Sequence, residues 1–445
     1  MENKTLQDVK LSDGTKINDL VNADKGIISP RIFSDAEIHQ LELEKIFAKV
    51  WNFVAHETEI PNKGDFVTRY IGSDRVIVVR EEVDKINVLL NVCMHKGMHL
   101  CRTDSGNGKN FRCIYHGWTY KTDGTVLGAP AAKEAYKGAF ERNNFKLVNA
   151  RVETYAGLVF ATFNEDAPSL DEWLGDAKFY LDCYFDRTPQ GMEVVGPPMR
   201  WVINANWKSA ADNFASDSYH TLMTHYSGVE LGQLPPNPMF ASHGVQVAME
   251  NGHGIGIVGA PPNIPLPEYL GLPEEVVTEV KKKLTDQQLE TLRRSNFVPG
   301  NIFPNLSILN VMQLPGLEEN EAPIPFMTMR VWIPRGPQEL ELISWFLVEK
   351  EAPQWFKVQS RDNYIRNFGA SGMFEADDAE IWTGIARVTQ GVTARQKLKL
   401  QYIMGLDADH DPKDWPGPGK ITHTTYTEEN SRNFFGQWAK LMSEE

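Results

Sequence analysis

Between about residue 50 and residue 165 the apolar positions fall in short runs rich in β-branched residues. DFVTRYIG, RVIVVREE, KINVLLNV and GLVFATF are each closed by Gly, Asp or Asn, the pattern of strands joined by turns. A compact all-β domain is predicted over 48–165. Before it, residues 1–47 read as a mobile start and then a short helix, DAEIHQLELEKIF, with Ser34 as N-cap. After it the pattern is mixed. SLDEWLGDAKFYLDCYF, SAADNFASDSYHTLMTHYS, PEEVVTEVKKKLTDQQLETLRR, QWFKVQSRDNYIRNF and DDAEIWTGIARVTQGV carry helical spacing, whereas MRWVINANW, FMTMRVWIP and LELISWFLVEK read as strands. Residues 228–272 are rich in Gly and Pro and predict long loops, and the prolines and glycines of 228–266 suggest a mobile rim. Residues 166–445 are thus predicted as an α+β domain with an antiparallel sheet flanked by helices, and the whole chain is α+β. Residues 1–47 are expected to pack with that larger domain.

Composition changes this picture little. The 445 residues are 42% hydrophobic and 23% charged, ordinary for a globular chain of two or three domains. The net charge of −14 argues against nucleic acid or anionic lipid as the main partner. The polar N-terminus has no signal-peptide core and no later run approaches a membrane span, so a cytoplasmic protein is expected.

Cysteine placement changes it more. Three of the four cysteines lie within NVCMHKGMHLCRTDSGNGKNFRCIYHGWTY, together with three histidines. Cys93-x-His95 and Cys113-x-x-His116 are separated by 17 residues, each pair putting one thiolate and one imidazole on a tight loop. Two Cys on one iron and two His on the other are the ligands of a Rieske [2Fe–2S] cluster. Zinc more often takes CxxC pairs or a spaced HxxxH. Gly97, Gly117 and DSGNG are expected to let the loops come close to the metal. Cys101 and Cys183 read as buried thiols, and His99 as a surface or supporting imidazole.

A second constellation is NWKSAADNFASDSYHTLMTHYSG. Asp217 and His220 are three apart and share a helical face, so the Asp can fix the ring's tautomer. His220 and His225 are five apart, about 140° round an ideal helix, and share a metal only if the helix ends or widens there. Non-haem iron oxygenases often use two His and one carboxylate, which leaves coordination positions open. GASGMFEADDAEIW offers Glu375, Asp377, Asp378 and Glu380, and spacing does not choose among them.

Together these motifs, in this order, resemble the large (α) subunit of Rieske non-haem iron aromatic-ring-hydroxylating dioxygenases, nearest the naphthalene, biphenyl and polycyclic-hydrocarbon branch. The resemblance runs from SPRIFSDAEI to the C-terminal helices. It implies Cys93, His95, Cys113 and His116 on the cluster, and His220, His225 and Asp378 on a mononuclear Fe(II). It also implies Asp217 as the bridge from His220 to a neighbouring subunit's cluster, through the partner subunit's His116. Asn213 and Phe214 fall where the family lines its active site, and Phe368 and Phe374 match aromatic pocket positions. Leu222, Leu309 and Met312 are further pocket assignments. The family usually has Arg where this chain has Lys96, which lacks the planar fork.

The activity this implies is cis-dihydroxylation of aromatic, chiefly polycyclic, hydrocarbons with O2. Electrons would come from NADH through a reductase and a ferredoxin, and a small β subunit would complete an α3β3 hexamer. No Arg is evidently placed to hold a substrate carboxylate, which favours neutral hydrocarbons. Two other readings share the motifs: a Rieske monooxygenase or salicylate-type hydroxylase, and a pure electron-transfer Rieske protein. The Asp217, His220, His225 and Asp378 set speaks against the last.

Overall fold

The computed structural model describes residues 9–234, 239–260, 267–314, 322–410 and 414–444. The first eight residues and the Pro-rich pieces 235–238 and 261–266, part of the expected rim, lie outside them. Two compact units emerge: Phe47–Leu170, and the chain before and after it.

Phe47–Leu170 is built of antiparallel strands. Asp65–Ile71, Asp74–Glu82 and Lys85–Leu90 form a meander, and Ser105–Asn107 pairs with its Asp65–Ile71 edge. Ile71 pairs with Asp74 across a two-residue turn in which Gly72 has φ +56°, as tight hairpins require. The continuous run RVIVV is explained by burial on both faces. Val76 and Val78 join one core with Val54, Val67 and Val159, while Ile77 and Val79 join another with Phe111, Trp118 and Tyr120. Cys93 and Cys113 belong to that second core.

The other unit is organised on a nine-stranded antiparallel sheet. Its order is Met192–Val194, Glu339–Glu349, Ile324–Gly336, Leu306–Gln313, Phe297–Ile302, Gly254–Val258, Gly244–Ala248 and Lys420–Thr422, with Met199–Ile203 also pairing Glu339–Glu349. The helices Trp207–Phe214, Gln354–Phe368, Met373–Thr389 and Glu429–Ser443 pack on it or on each other. No described helix is long and apolar enough to cross a membrane.

Several boundaries differ from expectation. The first helix spans Ala36–Glu42 and is capped by Asp35, whose carboxylate accepts from the Glu37 and Ile38 amides. The Ser34 hydroxyl instead donates to the Thr389 carbonyl. Residues 9–33 are not a loose start. Ile17, Leu20, Ile28 and Phe33 are buried, and Ile27–Ile28 pairs with Leu400–Gln401. The helix expected over SLDEWLGDAKFYLDCYF is divided into Leu170–Leu174 and Ala177–Phe185 by Gly175 at φ +47°. The helix expected over 274–295 becomes Glu274–Lys283 and Asp286–Arg293, because Thr285 and Gln288 form a capping box. Within the supposed loops of 228–272, Gly244–Ala248 and Gly254–Val258 form a hairpin. Their glycines let other groups lie against the ladder: a Cβ on Gly254 would meet Asn430, and one on Gly256 would meet Ser216.

Candidate metal centres

The two loops of the β unit have the same hydrogen-bonded form. Cys93 N donates to Met98 O at 2.9 Å and Gly97 N to Cys93 O at 2.9 Å; Cys113 N donates to Trp118 O at 2.8 Å and Gly117 N to Cys113 O at 2.9 Å. Gly97 and Gly117 sit at φ +74° and +71°. A Cβ on Gly97 would meet nothing, so that glycine is needed for its conformation and not for a close approach; one on Gly117 would meet Pro130. The loops bring His95 and His116 to a ring separation of 4.4 Å and stack His95 on Trp118 at 5.0 Å. Both thiols are buried, and burial, with Cys113 beside it, pushes the Cys93 thiol up. Burial pushes His95 down, and its buried Nδ1 has no partner among the described residues. Two buried sulfurs and an unpartnered imidazole nitrogen suit an iron–sulfur cluster. Tyr120, which sequence reasoning passed over, places its hydroxyl 3.4 Å from Cys93 Sγ and 3.1 Å from Met94 N. Against a thiolate that hydroxyl donates and withdraws electron density from the sulfur. Cys101 and Cys183 are buried and His99 is exposed, as expected.

In the larger unit, the segment expected as one helix is broken where the histidines need it to be. Trp207–Phe214 ends, Ser216 adopts φ +107°, a 3-10 turn covers Ser218–Leu222, and a new helix starts at Tyr226. The break is stabilised from a distance: Asn430 Nδ2 donates to Ala215 O at 2.7 Å, and Gln246 Nε2 donates to Ser216 O. His220 Nε2 and His225 Nε2 thereby lie 3.1 Å apart, each 3.4 Å from Asp378 Oδ1. These three ligand atoms all lie within 4.8 Å of one another. Burial works against charge on His220, but Asp378 and Asp217 raise it to about 9. Burial works against charge on Asp378 too, yet the two imidazoles hold its carboxyl below the usual range. An anionic oxygen facing two ring nitrogens is a donor set for a divalent metal, and its composition fits non-haem iron.

The four candidate carboxylates are now separated. Asp378 faces the histidines. Asp377 Oδ2 lies 3.3 Å from His225 Nδ1 and accepts from Ser227 Oγ at 3.1 Å. Glu375 pairs with buried Arg330, and Glu380 is exposed. Asp217 differs from its expected form. Its backbone carbonyl, not its carboxylate, contacts His220 Nδ1, while its Oδ1 accepts from His220 N at 3.2 Å and caps the turn. Its Oδ2 stands 4.0 Å from Nδ1.

A cavity of about 620 Å³ opens onto this site. Asn213, Phe214, Leu309, Met312, Phe368 and Phe374 line it as expected. Leu222 does not: it closes the 3-10 turn, half-buried, outside the lining. Val311 and Gln313 also line the cavity, as do Val229, Phe297 and Pro299, which were not singled out from sequence. Val311 and Gln313 follow Leu309 with period 2 along one strand.

Residues 50–155 match the family model of the Rieske [2Fe-2S] domain, and residues 170–444 match that of the ring hydroxylating alpha subunit (catalytic domain). The chain belongs to the ring-hydroxylating alpha-subunit family. It is 38% identical to the biphenyl 2,3-dioxygenase subunit alpha of Rhodococcus jostii (strain RHA1), covering 96% of this chain and 91% of that one. Identity to a benzene 1,2-dioxygenase subunit alpha of Pseudomonas putida is also 38%, over 96% and 94%. The crystal structure of naphthalene 1,2-dioxygenase from Rhodococcus sp. superposes with a TM-score of 0.90 at 47% identity, over 94% of each chain. As a member, this alpha subunit is an oxidoreductase with a Rieske cluster and a mononuclear iron, acting as a ring-hydroxylating dioxygenase.

Proposed function

We propose that this alpha subunit is the terminal oxygenase of a system that cis-dihydroxylates neutral aromatic hydrocarbons, fused-ring ones above all. The cavity carries this reading. At about 620 Å³ it is roomy for a single ring, and no Lys or Arg occurs among its described lining residues. A substrate carboxylate would lie there as an unpaired buried charge, whereas an arene would bury only apolar surface. That the relatives are biphenyl, benzene and naphthalene dioxygenases supports the same class.

In this reading Cys93, His95, Cys113 and His116 hold the cluster, and His220, His225 and Asp378 hold the iron. When bound, the two centres supply stored electrons and O2 activation. The chain's own residues do the rest. Phe214, Phe368 and Phe374 orient the flat substrate over the ligand triad and exclude water, and Asn213 lines the same end. Asp377 holds the His225 ring. Asp217 caps the His220 turn and keeps a carboxylate oxygen free for a partner subunit's cluster ligand. The partners are a β subunit in an α3β3 hexamer, a ferredoxin and an NADH-dependent reductase, and the assembly is cytoplasmic.

The test is product analysis with labelled O2 and the reconstituted electron-transfer chain, on substrates of one to four fused rings. A cis-diol carrying two labelled oxygens, best from two or more rings, is expected. A phenol carrying one labelled oxygen would move the protein to the monooxygenase reading.

A further inference from the structure

The aromatic wall of the cavity is held from behind by a buried cation. Arg330 lies in the middle of the strand Ile324–Gly336 and is fully buried, outside the cavity lining. Its guanidinium carbon stands 5.1 Å from the ring centre of Phe214 and 5.0 Å from that of Phe368, both of which line the cavity. Nη1 donates to Glu375 Oε2, and Nη2 donates to Phe368 O at 2.9 Å. One fork thus fastens the end of Gln354–Phe368 and the first turn of Met373–Thr389, the helix that carries Asp378. Two other buried ion pairs serve elsewhere. Lys208–Glu42 stands among Phe33, Trp207 and Trp438, and Arg187–Glu349 is joined by Asn310, none of which lines the cavity. Stability does not account for the pair behind the wall, because apolar residues of like volume commonly replace a buried ion pair without loss. A planar fork that meets two rings and two helices at once fixes their relative geometry.

We infer that Arg330 is a positioning residue for regiochemistry: its clamped guanidinium sets where the Phe214 and Phe368 rings stand, and so which edge of an arene faces the His220, His225 and Asp378 triad. The inference rests on the aromatic-dioxygenase reading and adds what sets its product isomer. Arg330 acts only through the two rings. A phenylalanine ring turns about two torsions, and a buried cation against it favours one pose by a factor of about five. The bond to Phe368 O fixes the backbone of the same residue, so ring and main chain are held by one group. A small displacement of either ring moves the substrate relative to the reacting centre, where product choice is sensitive to distance.

Phenanthrene has several inequivalent ring edges, so the ratio of its cis-diol isomers reports the substrate pose. Arg330→Lys keeps a cation for Glu375 but loses the planar fork. The double variant Arg330→Met, Glu375→Leu removes the whole pair at similar volume, which a buried ion pair commonly tolerates. Isomer ratios are measured on the iron-loaded holoenzyme with its electron-transfer chain, beside iron and sulfide content and the unfolding midpoint. The ratio is expected to shift by about threefold or more in each variant, at full iron and sulfide content. Calorimetry on the iron-free protein should show naphthalene binding weakened by about the same factor. An unchanged ratio in both variants overturns the inference, even where the unfolding midpoint falls, since that is a structural role alone. Loss of iron from both overturns it too, because Arg330 then serves the ligand helix, and so does failure of both to fold. If one variant fails to fold, the other decides. Diol formation with an unchanged ratio rejects only the role of Arg330, whereas an absence of any arene oxidation by the unaltered protein rejects the dioxygenase reading.

Discussion

The Asp217 carbonyl holds His220 Nδ1, and this separates two jobs that a carboxylate partner would combine. The ring's orientation depends on backbone. The carboxylate caps the turn and still presents Oδ2 beyond it. Asn caps helical turns about as well as Asp. Asp217→Asn is therefore expected to retain iron and cluster in full, read by metal content and visible absorption, and yet to abolish turnover. Loss of iron in that variant would mean the carboxylate serves only to build the site. Asp377 has the complementary role, because it reaches His225 by its side chain. Asp377→Asn weakens an acceptor that fixes a ligand tautomer, and such supporting groups are worth roughly 10–100-fold in metal affinity. Iron should titrate in correspondingly more weakly while the cluster absorption stays unchanged.

At the scale of elements, the helix carrying Asn213 and Phe214 is anchored at its first turn. Lys208 and Glu42 form a fully buried ion pair, and Glu42 also accepts from Trp207 Nε1 at 2.9 Å and Trp438 Nε1 at 2.7 Å. One carboxylate thus ties the first helix, the site helix and the C-terminal helix together. Removing one partner of such a pair leaves an uncompensated charge and costs about 3–5 kcal/mol. Lys208→Met should lower stability by that amount in denaturant unfolding, provided the transition stays two-state. A loss below about 1 kcal/mol would show that Glu42 is satisfied by the indoles alone. Element types along the chain were largely legible, because long strands such as Ile324–Gly336 and helices such as Met373–Thr389 carry strong periodicity. Breaks were less so. Gly175 and the Thr285 capping box are local signals that a run of helical spacing hides. The break at Ser216 is not local at all, since Gln246 and Asn430 support it from 30 and 215 residues away.

At the scale of the molecule, the two sets of donor residues belong to different compact units and share no residue. Each centre should therefore load by itself. His220→Ala is expected to lower iron from about three to about two per chain while leaving about two acid-labile sulfides. Loss of sulfide in that variant would show that the sites do not assemble independently.

The sequence by itself determined the donors. Cys93, His95, Cys113 and His116 are close in the chain, and their spacing alone names a cluster, because tight loops place near neighbours in sequence near each other in space. It also determined that His220 and His225 need a broken helix to meet. The resemblance implied Asp378 as the third ligand, but what only the tertiary structure decided was why that carboxylate faces the histidines, and the make-up of the cavity. Asp378 lies 153 residues beyond His225. Its choice over Glu375, Asp377 and Glu380 follows from which face of Met373–Thr389 turns towards the histidines. The exclusion of Leu222 and the placing of Arg330 behind the aromatic wall have the same origin. A strand's two faces and a helix's stripes are written in the sequence, but which of them meet across a sheet is set by packing between distant elements.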